Sequence, residues 1–185
     1  MAHFPAVGRN RISQPIPVLK SEIGWFRPVC TGDGLARLDW QEAGFAKDLP
    51  DLNPDVSRET CAQLAAYLAG TRRDFTLPLD FSALSTTARR WLDCLARIPY
   101  GQVISYADLA ESWGNRRAAR PAGQACRRNP LPVILPCHRV VSSTGGLNQY
   151  SGGSDRGARD PANLQRKAWL QELEAQHTHA FPAAS

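Results

Sequence analysis

Several things are scarce in this sequence. No apolar stretch is long enough to cross a bilayer, and the opening residues, MAHFPAVGRNRISQPIPVLK, hold no apolar core of the kind a secretory signal carries. That argues against a membrane protein and for a cytoplasmic one. The five cysteines, Cys30, Cys61, Cys94, Cys126 and Cys137, are odd in number and include no C-x-x-C pair. A disulfide framework, a redox dithiol and a thiolate zinc site are all disfavoured, and the cysteines suit a reducing compartment. Cys30, Cys61 and His3 make no recognisable ligand set, so neither metal nor cofactor is expected. Lysine is confined to Lys20, Lys47 and Lys167, so 22 − 3 = 19 of the basic residues are arginine in a chain of net charge +5. The planar guanidinium suits bidentate phosphate contacts, but composition alone is weak support for nucleic-acid binding. Position has to decide.

At 185 residues the chain can form one large or two small domains with their own cores. Residues 1–20 contain three prolines and no periodicity, and read as a mobile tail. GLARLDW (34–40) alternates as a half-buried strand does. VSRETCAQLAAYLAG sets Val56, Thr60, Cys61, Leu64, Ala65 and Leu68 at helical spacing before a Gly70 stop. DFTLPLDFS (74–82) looks extended and then turns. This leading unit, residues 21–83, is a small α/β domain with no chemical motif. A second domain, residues 84–176, opens on a helix carrying Trp91, Leu92 and Leu95, which IPYG ends. SYADLAESWGN follows as a short helix, with Ser105 and Asp108 at capping-box spacing and Gly114-Asn115 as its close. Residues 177–185 read as a tail.

RRAARPAGQACRRN comes next. On a helical wheel Arg116, Arg117, Arg120, Arg127 and Arg128 share an arc of about 120°, while Ala118, Ala119, Ala122, Ala125 and Cys126 lie opposite. Helix, short glycine turn, helix is the arrangement that presents a second helix to DNA. A solvated basic face is the plainer reading. It is weakened because no acidic residue occurs from Asn115 to Ser154, whereas solvated faces usually mix signs. Pro121 is tolerable only if the helix starts near Arg117 or Ala118.

NPLPVILPCHRVV is β-prone and punctuated by prolines. Cys137 in such a stretch could be an inert buried thiol, the usual fate of a free cysteine. His138 cannot share a strand face with it, so the two would act together only across a turn or through a water.

The ordered set IPYGQVISYADLA, AAR, NP, PCHRV, YSGG and KAWL, spanning about Ile98 to Glu174, resembles the O6-alkylguanine-DNA alkyltransferases, the methylated-DNA–protein-cysteine methyltransferases. The resemblance implies an α/β (α+β) chain. A small RNase H-like N-terminal domain would precede a mainly helical, winged-helix-like domain with a helix-turn-helix. It implies a monomer that binds double-stranded DNA in the minor groove, flips out an O6-alkylguanine, or an O4-alkylthymine, and takes the alkyl group irreversibly onto its own cysteine. Flipping answers a physical need, since a stacked base is closed to an enclosed nucleophile.

Residue by residue, Cys137 matches the acceptor. His138 matches the histidine acting on it through water, and Glu174, five residues after Trp169, the glutamate orienting that histidine. A thiol near its ordinary pKa of about 8.5 is mostly protonated at neutral pH, which is why such a relay is needed. Asn129 matches the asparagine pinning the cysteine's turn, Lys167 the family lysine, and Tyr106 the tyrosine that crowds the target phosphate and helps protonate the leaving guanine. Arg120 matches the intercalating arginine. Arg116, Arg117, Arg127, Arg128, Ala119 and Gly123 complete the DNA-facing set. Val140, Ser151, Tyr150 and Pro132 would surround the base, with backbone near Val140 and Ser151 reading its edge. Glu172 competes with Glu174 but faces another side of the helix.

Four departures stand out: Thr87 for phenylalanine, Gln124 for glycine or alanine, Asn148 for a turn glycine, and an insertion at residues 154–163 that carries Arg156 and Arg159. Two other classes stay open. A non-catalytic lesion sensor is opposed by Cys137 itself, and a Cys-His hydrolase would have no use for the arginine face.

Overall fold

The computed structural model describes residues 15–47, 49–147, 149–152 and 157–178. The leading unit is an antiparallel three-stranded meander, β1 (Leu19–Ser21), β2 (Gly24–Cys30) and β3 (Leu35–Gln41), covered by helix α1 (Pro54–Leu68). Its register pairs Phe26 with Trp40 and Pro28 with Leu38, so the large side chains of β2 and β3 fall on one face. Residues 15–20 do not behave as the predicted tail: Ile16 is buried, Pro15 bridges Pro50, and Leu19 and Lys20 pair with Phe26 and Trp25. Strand pairing and one buried isoleucine outweigh the prolines. Residues 1–14, His3 among them, lie outside the described residues.

Helix α1 starts at Asn53, whose side chain accepts from Val56 N–H, and ends at Gly70, whose φ of +71° suits glycine. Its buried face is Ser57, Thr60, Gln63, Leu64 and Tyr67, rotated from the predicted apolar stripe; Ala65 is exposed. The polar members can be buried because each is satisfied. Ser57 donates to Asp51 at 2.9 Å, Thr60 to the Val56 carbonyl at 2.7 Å, and Gln63 to Thr76 Oγ1 at 3.1 Å.

The second unit contains α2 (Thr86–Ala96), β4 (Ile104–Ser105), α3 (Tyr106–Trp113), α4 (Ala119–Arg127), β5 (Val140–Val141) and α5 (Pro161–His177). Strands β4 and β5 form a parallel pair. The capping box at Ser105 and Asp108 forms as predicted, and Gly114 closes α3 at φ +108°. A 3-10 turn, Arg116–Ala118, separates α3 from α4 and breaks the single wheel drawn from the sequence. Pro121 is the third residue of α4, where its missing N–H would have no intrahelical partner.

The units share one core. Leu38 N–H donates to the Pro130 carbonyl at 2.9 Å, Trp40 packs edge-on against Tyr150 at 6.1 Å, and Arg166 donates to the Ile23 carbonyl at 2.9 Å. Asp160 caps α5 and Pro161 is its first residue, so the last three positions of the predicted insertion are helix. At the far end His177 belongs to α5 and Thr178 donates to the Glu174 carbonyl at 2.6 Å, which shortens the predicted tail.

Candidate active site

Cys137 is not on a strand. Residues 131–136 form a turn and Cys137–Arg139 a 3-10 turn, with β structure starting only at Val140. Three prolines deny the segment its ladder donors. Asn129 supplies the bonds that replace them: Nδ2 donates to the Leu135 carbonyl at 2.7 Å and Oδ1 accepts from Leu131 N–H at 3.0 Å. Inside that clamp Val133 sits at φ +72°, a strained conformation for a β-branched residue. The same Asn129 Nδ2 reaches Cys137 Sγ at 3.2 Å. Burial pushes the Cys137 thiol up, and the Asn129 bond and the Lys167 charge oppose that rise.

His138, next along the turn, is fully buried, and its Nε2 lies 2.5 Å from Glu174 Oε1. Burial raises the Glu174 carboxyl, but the bonds and charges of His138 and Arg139 outweigh it and hold the pKa at about 2. An ionised carboxylate only accepts, so Nε2 carries the proton and Nδ1 the lone pair of a neutral ring. Burial lowers the His138 pKa against the pull of Glu174, and Nδ1 has no protein partner among the described residues. This leaves a buried base with one free nitrogen beside a buried thiol.

Glu174 is the hub. Arg139 donates from Nε to both carboxylate oxygens, at 3.1 and 2.9 Å, and from Nη2 at 3.1 Å, while its Nη1 donates to the Ile98 carbonyl at 2.5 Å. Gly101 N–H donates to Oε2 at 2.9 Å. Tyr67, from α1, donates its hydroxyl to Oε1. Glu172 is exposed and bonded to Gln176, so it takes no part. Sequence reasoning missed Arg139 and Tyr67. A cation inside an apolar run needs a buried partner, which was a usable signal for Arg139; Tyr67 offered none, and its contact brings a side chain of the leading unit to Glu174.

Lys167 is buried and donates to the carbonyls of Val140 at 2.6 Å and Gln149 at 3.3 Å. A cleft opens over Cys137, lined by Tyr106, Gly123, Cys126, Arg127, Tyr150 and Ser151 among others. Burial pushes the Tyr106 phenol up, with the Cys126 and Cys137 thiols adding to it. Val140 and Pro132 are not among the residues lining this cleft; Val140 N–H is bonded to the Cys137 carbonyl and its own carbonyl to Lys167. Tyr150 N–H donates to the Ala158 carbonyl at 2.7 Å, which brings the middle of the insertion beside the cleft. Asn148 and Arg156 lie outside the described residues; Arg159 is exposed.

On α4, Ala122 and Cys126 are buried and Ala119 and Gly123 half-buried. Arg117, Arg120, Arg127 and Arg128 are exposed and have no acidic partner among the described residues. Arg116 differs: it pairs with Asp108 at 3.0 Å and Glu111 at 2.5 Å, acids that precede the acid-free stretch.

Residues 86–176 match the family described as 6-O-methylguanine DNA methyltransferase, DNA binding domain, and residues 17–81 match its ribonuclease-like domain. The chain belongs to the 6-O-methylguanine DNA methyltransferase family. Among curated members, the methylated-DNA–protein-cysteine methyltransferase of Mycobacterium bovis is 42% identical over 158 residues, 84% of this chain and 89% of that protein. The constitutive enzyme of the same name from Bacillus subtilis is 36% identical over 138 residues, 73% of this chain and 80% of its own. The crystal structure of Mycobacterium tuberculosis OGT in complex with DNA superposes with a TM-score of 0.70 at 30% identity, covering 86% of this chain and 92% of that one. The two-part architecture described above is therefore the methyltransferase fold. Among the described residues no helix is long and apolar enough to cross a membrane.

Proposed function

We propose that this protein is a methylated-DNA–protein-cysteine S-methyltransferase that repairs O6-alkylguanine, and O4-alkylthymine, by moving the alkyl group to its own Cys137. The observation that carries the reading is the buried thiol at the floor of a cleft, next to a buried histidine whose Nε2 is bound to a buried carboxylate. Deprotonation and attack are coupled: Nδ1 of His138, through a water, takes the thiol proton as Sγ bonds to the alkyl carbon and the carbon–O6 bond breaks. The departing guanine takes up a proton, assisted by Tyr106, so the thiol proton is balanced by the one the restored base gains. The thioether has no route back to a thiol, and each molecule acts once.

The chain binds DNA through its second unit. In this reading it approaches the minor groove as a monomer, with α4 leading. Arg120 fills the gap left by the flipped base, and Arg117, Arg127 and Arg128 meet phosphates; Ala119 and Gly123 keep the helix surface low. Tyr150 and Ser151 border the base. Lys167 disfavours protonation nearby and steadies the nascent thiolate. Asn129 holds the strained turn that aims Sγ. The division between the two units falls near residue 84, a placement supported by family matches that end at 81 and resume at 86.

The test is stoichiometric. After incubation with duplex DNA containing O6-methylguanine, the Cys137 peptide gains one methyl per protein and gains no more with excess DNA. Full methyl acceptance by Cys137→Ala would end the reading, and steady turnover on a small ester without DNA would replace it with a Cys-His hydrolase.

A further inference from the structure

Glu174 Oε1 is shared by donors from both units of the chain. His138 Nε2 lies 2.5 Å away, Arg139 reaches it from Nε and Nη2 at 3.1 Å each, and the Tyr67 hydroxyl donates from α1. Tyr67 is wholly buried. Its ring is held by Phe75, with centroids 5.2 Å apart, and edge-on by Tyr100 at 5.8 Å. Its hydroxyl oxygen also stands 3.5 Å from His138 Nε2. Burial and the neighbouring Glu174 charge both push the Tyr67 phenol up, so it keeps its proton and is a permanent donor.

Each donor on Oε1 draws on the negative charge that would stabilise an imidazolium at His138. The groups facing that ring are Glu174 and Lys167 from α5, Tyr67 from α1, and Arg139 from its own turn; Tyr100 faces the Glu174–Arg139 pair. Arg139 and Lys167 disfavour the cation and Glu174 favours it. Tyr67 acts on the single group that pulls the other way.

We propose that Tyr67 is a positioning residue for the transfer, contributed by the leading unit: it fixes the Glu174 carboxylate and weakens its hold on the imidazolium, so that His138 rests neutral and able to take the thiol proton. The inference rests on the transfer function proposed above.

Tyr67→Phe keeps the ring and removes the donor. Two readouts follow: the His138 ring titration by NMR, and the pH dependence of methyl transfer from duplex DNA containing O6-methylguanine. In Tyr67→Phe the His138 midpoint rises by about 0.5–1 unit. The acid limb of the rate profile moves with it, so transfer on that limb slows by about 3- to 10-fold at a given pH while the alkaline plateau and the final stoichiometry hold. Should Tyr67→Phe melt below the assay temperature, 3-fluorotyrosine at position 67 tests the same link in the other direction: a stronger donor lowers the His138 midpoint. An unmoved midpoint and limb, with only a smaller folded fraction, would leave Tyr67 a packing residue and overturn the proposal. If the unsubstituted protein accepts no methyl, the function reading fails instead, and the NMR midpoint still decides whether Tyr67 acts on His138.

Discussion

The carboxylate of Glu174 and the guanidinium groups of α4 are handled in opposite ways by the same fold. Glu174, 1% exposed, is met by Tyr67, His138, Arg139 and Gly101 from three separate stretches of chain. Arg117, Arg120, Arg127 and Arg128 stand exposed without acidic partners among the described residues. A charge removed from water must be matched inside the protein, whereas an exposed one can wait for an anion from outside. The first arrangement surrounds its charge with donors; in the proposed function the second stores attraction for a phosphate backbone.

The contrast can be broken most severely at its buried end. Glu174→Ala strips Arg139 of its carboxylate while leaving it buried, and should cost about 3–5 kcal/mol of stability in urea unfolding. Acid acts next. Glu174 is held at about 2, below its ordinary 4.5, so its contribution is complete above pH 4.5 and is lost as pH falls toward 2. His138 is held below its ordinary 6.5, so the native state resists a proton that the unfolded chain accepts, and stability is lost as pH falls below 6.5. Both signs agree: the urea midpoint should decline from pH 7 to pH 4, with the histidine contribution going first.

Changes at the exposed end should leave folding alone. Arg127→Ala and Arg128→Ala should each lower the log–log salt slope of DNA affinity by about one, read by fluorescence anisotropy, with no change in melting temperature. Arg116→Ala should give the smallest effect, since Asp108 and Glu111 already occupy its guanidinium. A slope change as large as that for Arg127→Ala would show that this pairing opens on DNA.

Legibility followed the range of the interactions involved. The Ser105–Asp108 capping box was readable because its partners are three residues apart. The ordered motifs around Cys137 carried the family. The buried face of helix α1 shares Thr60 and Leu64 with the predicted stripe but is rotated from it, because Ser57, Gln63 and Tyr67 are buried with partners at Asp51, Thr76 and Glu174, none of them visible in a periodicity. VILP was read as strand-like, but the Asn129 clamp folds it into a turn. The arginine wheel assumed one helix where a 3-10 turn intervenes, and this separated Arg116 from the others.

By itself the sequence determined the thiol, the base beside it, the absence of acid from Asn115 to Ser154, and the order of motifs that marks the family. Tertiary structure alone decided that Arg139 is part of the buried network and that Tyr67, 107 residues from Glu174, closes it. The reason is physical: burying a charge makes partners obligatory, yet leaves their identity to whichever donors the packing of the two units brings within reach.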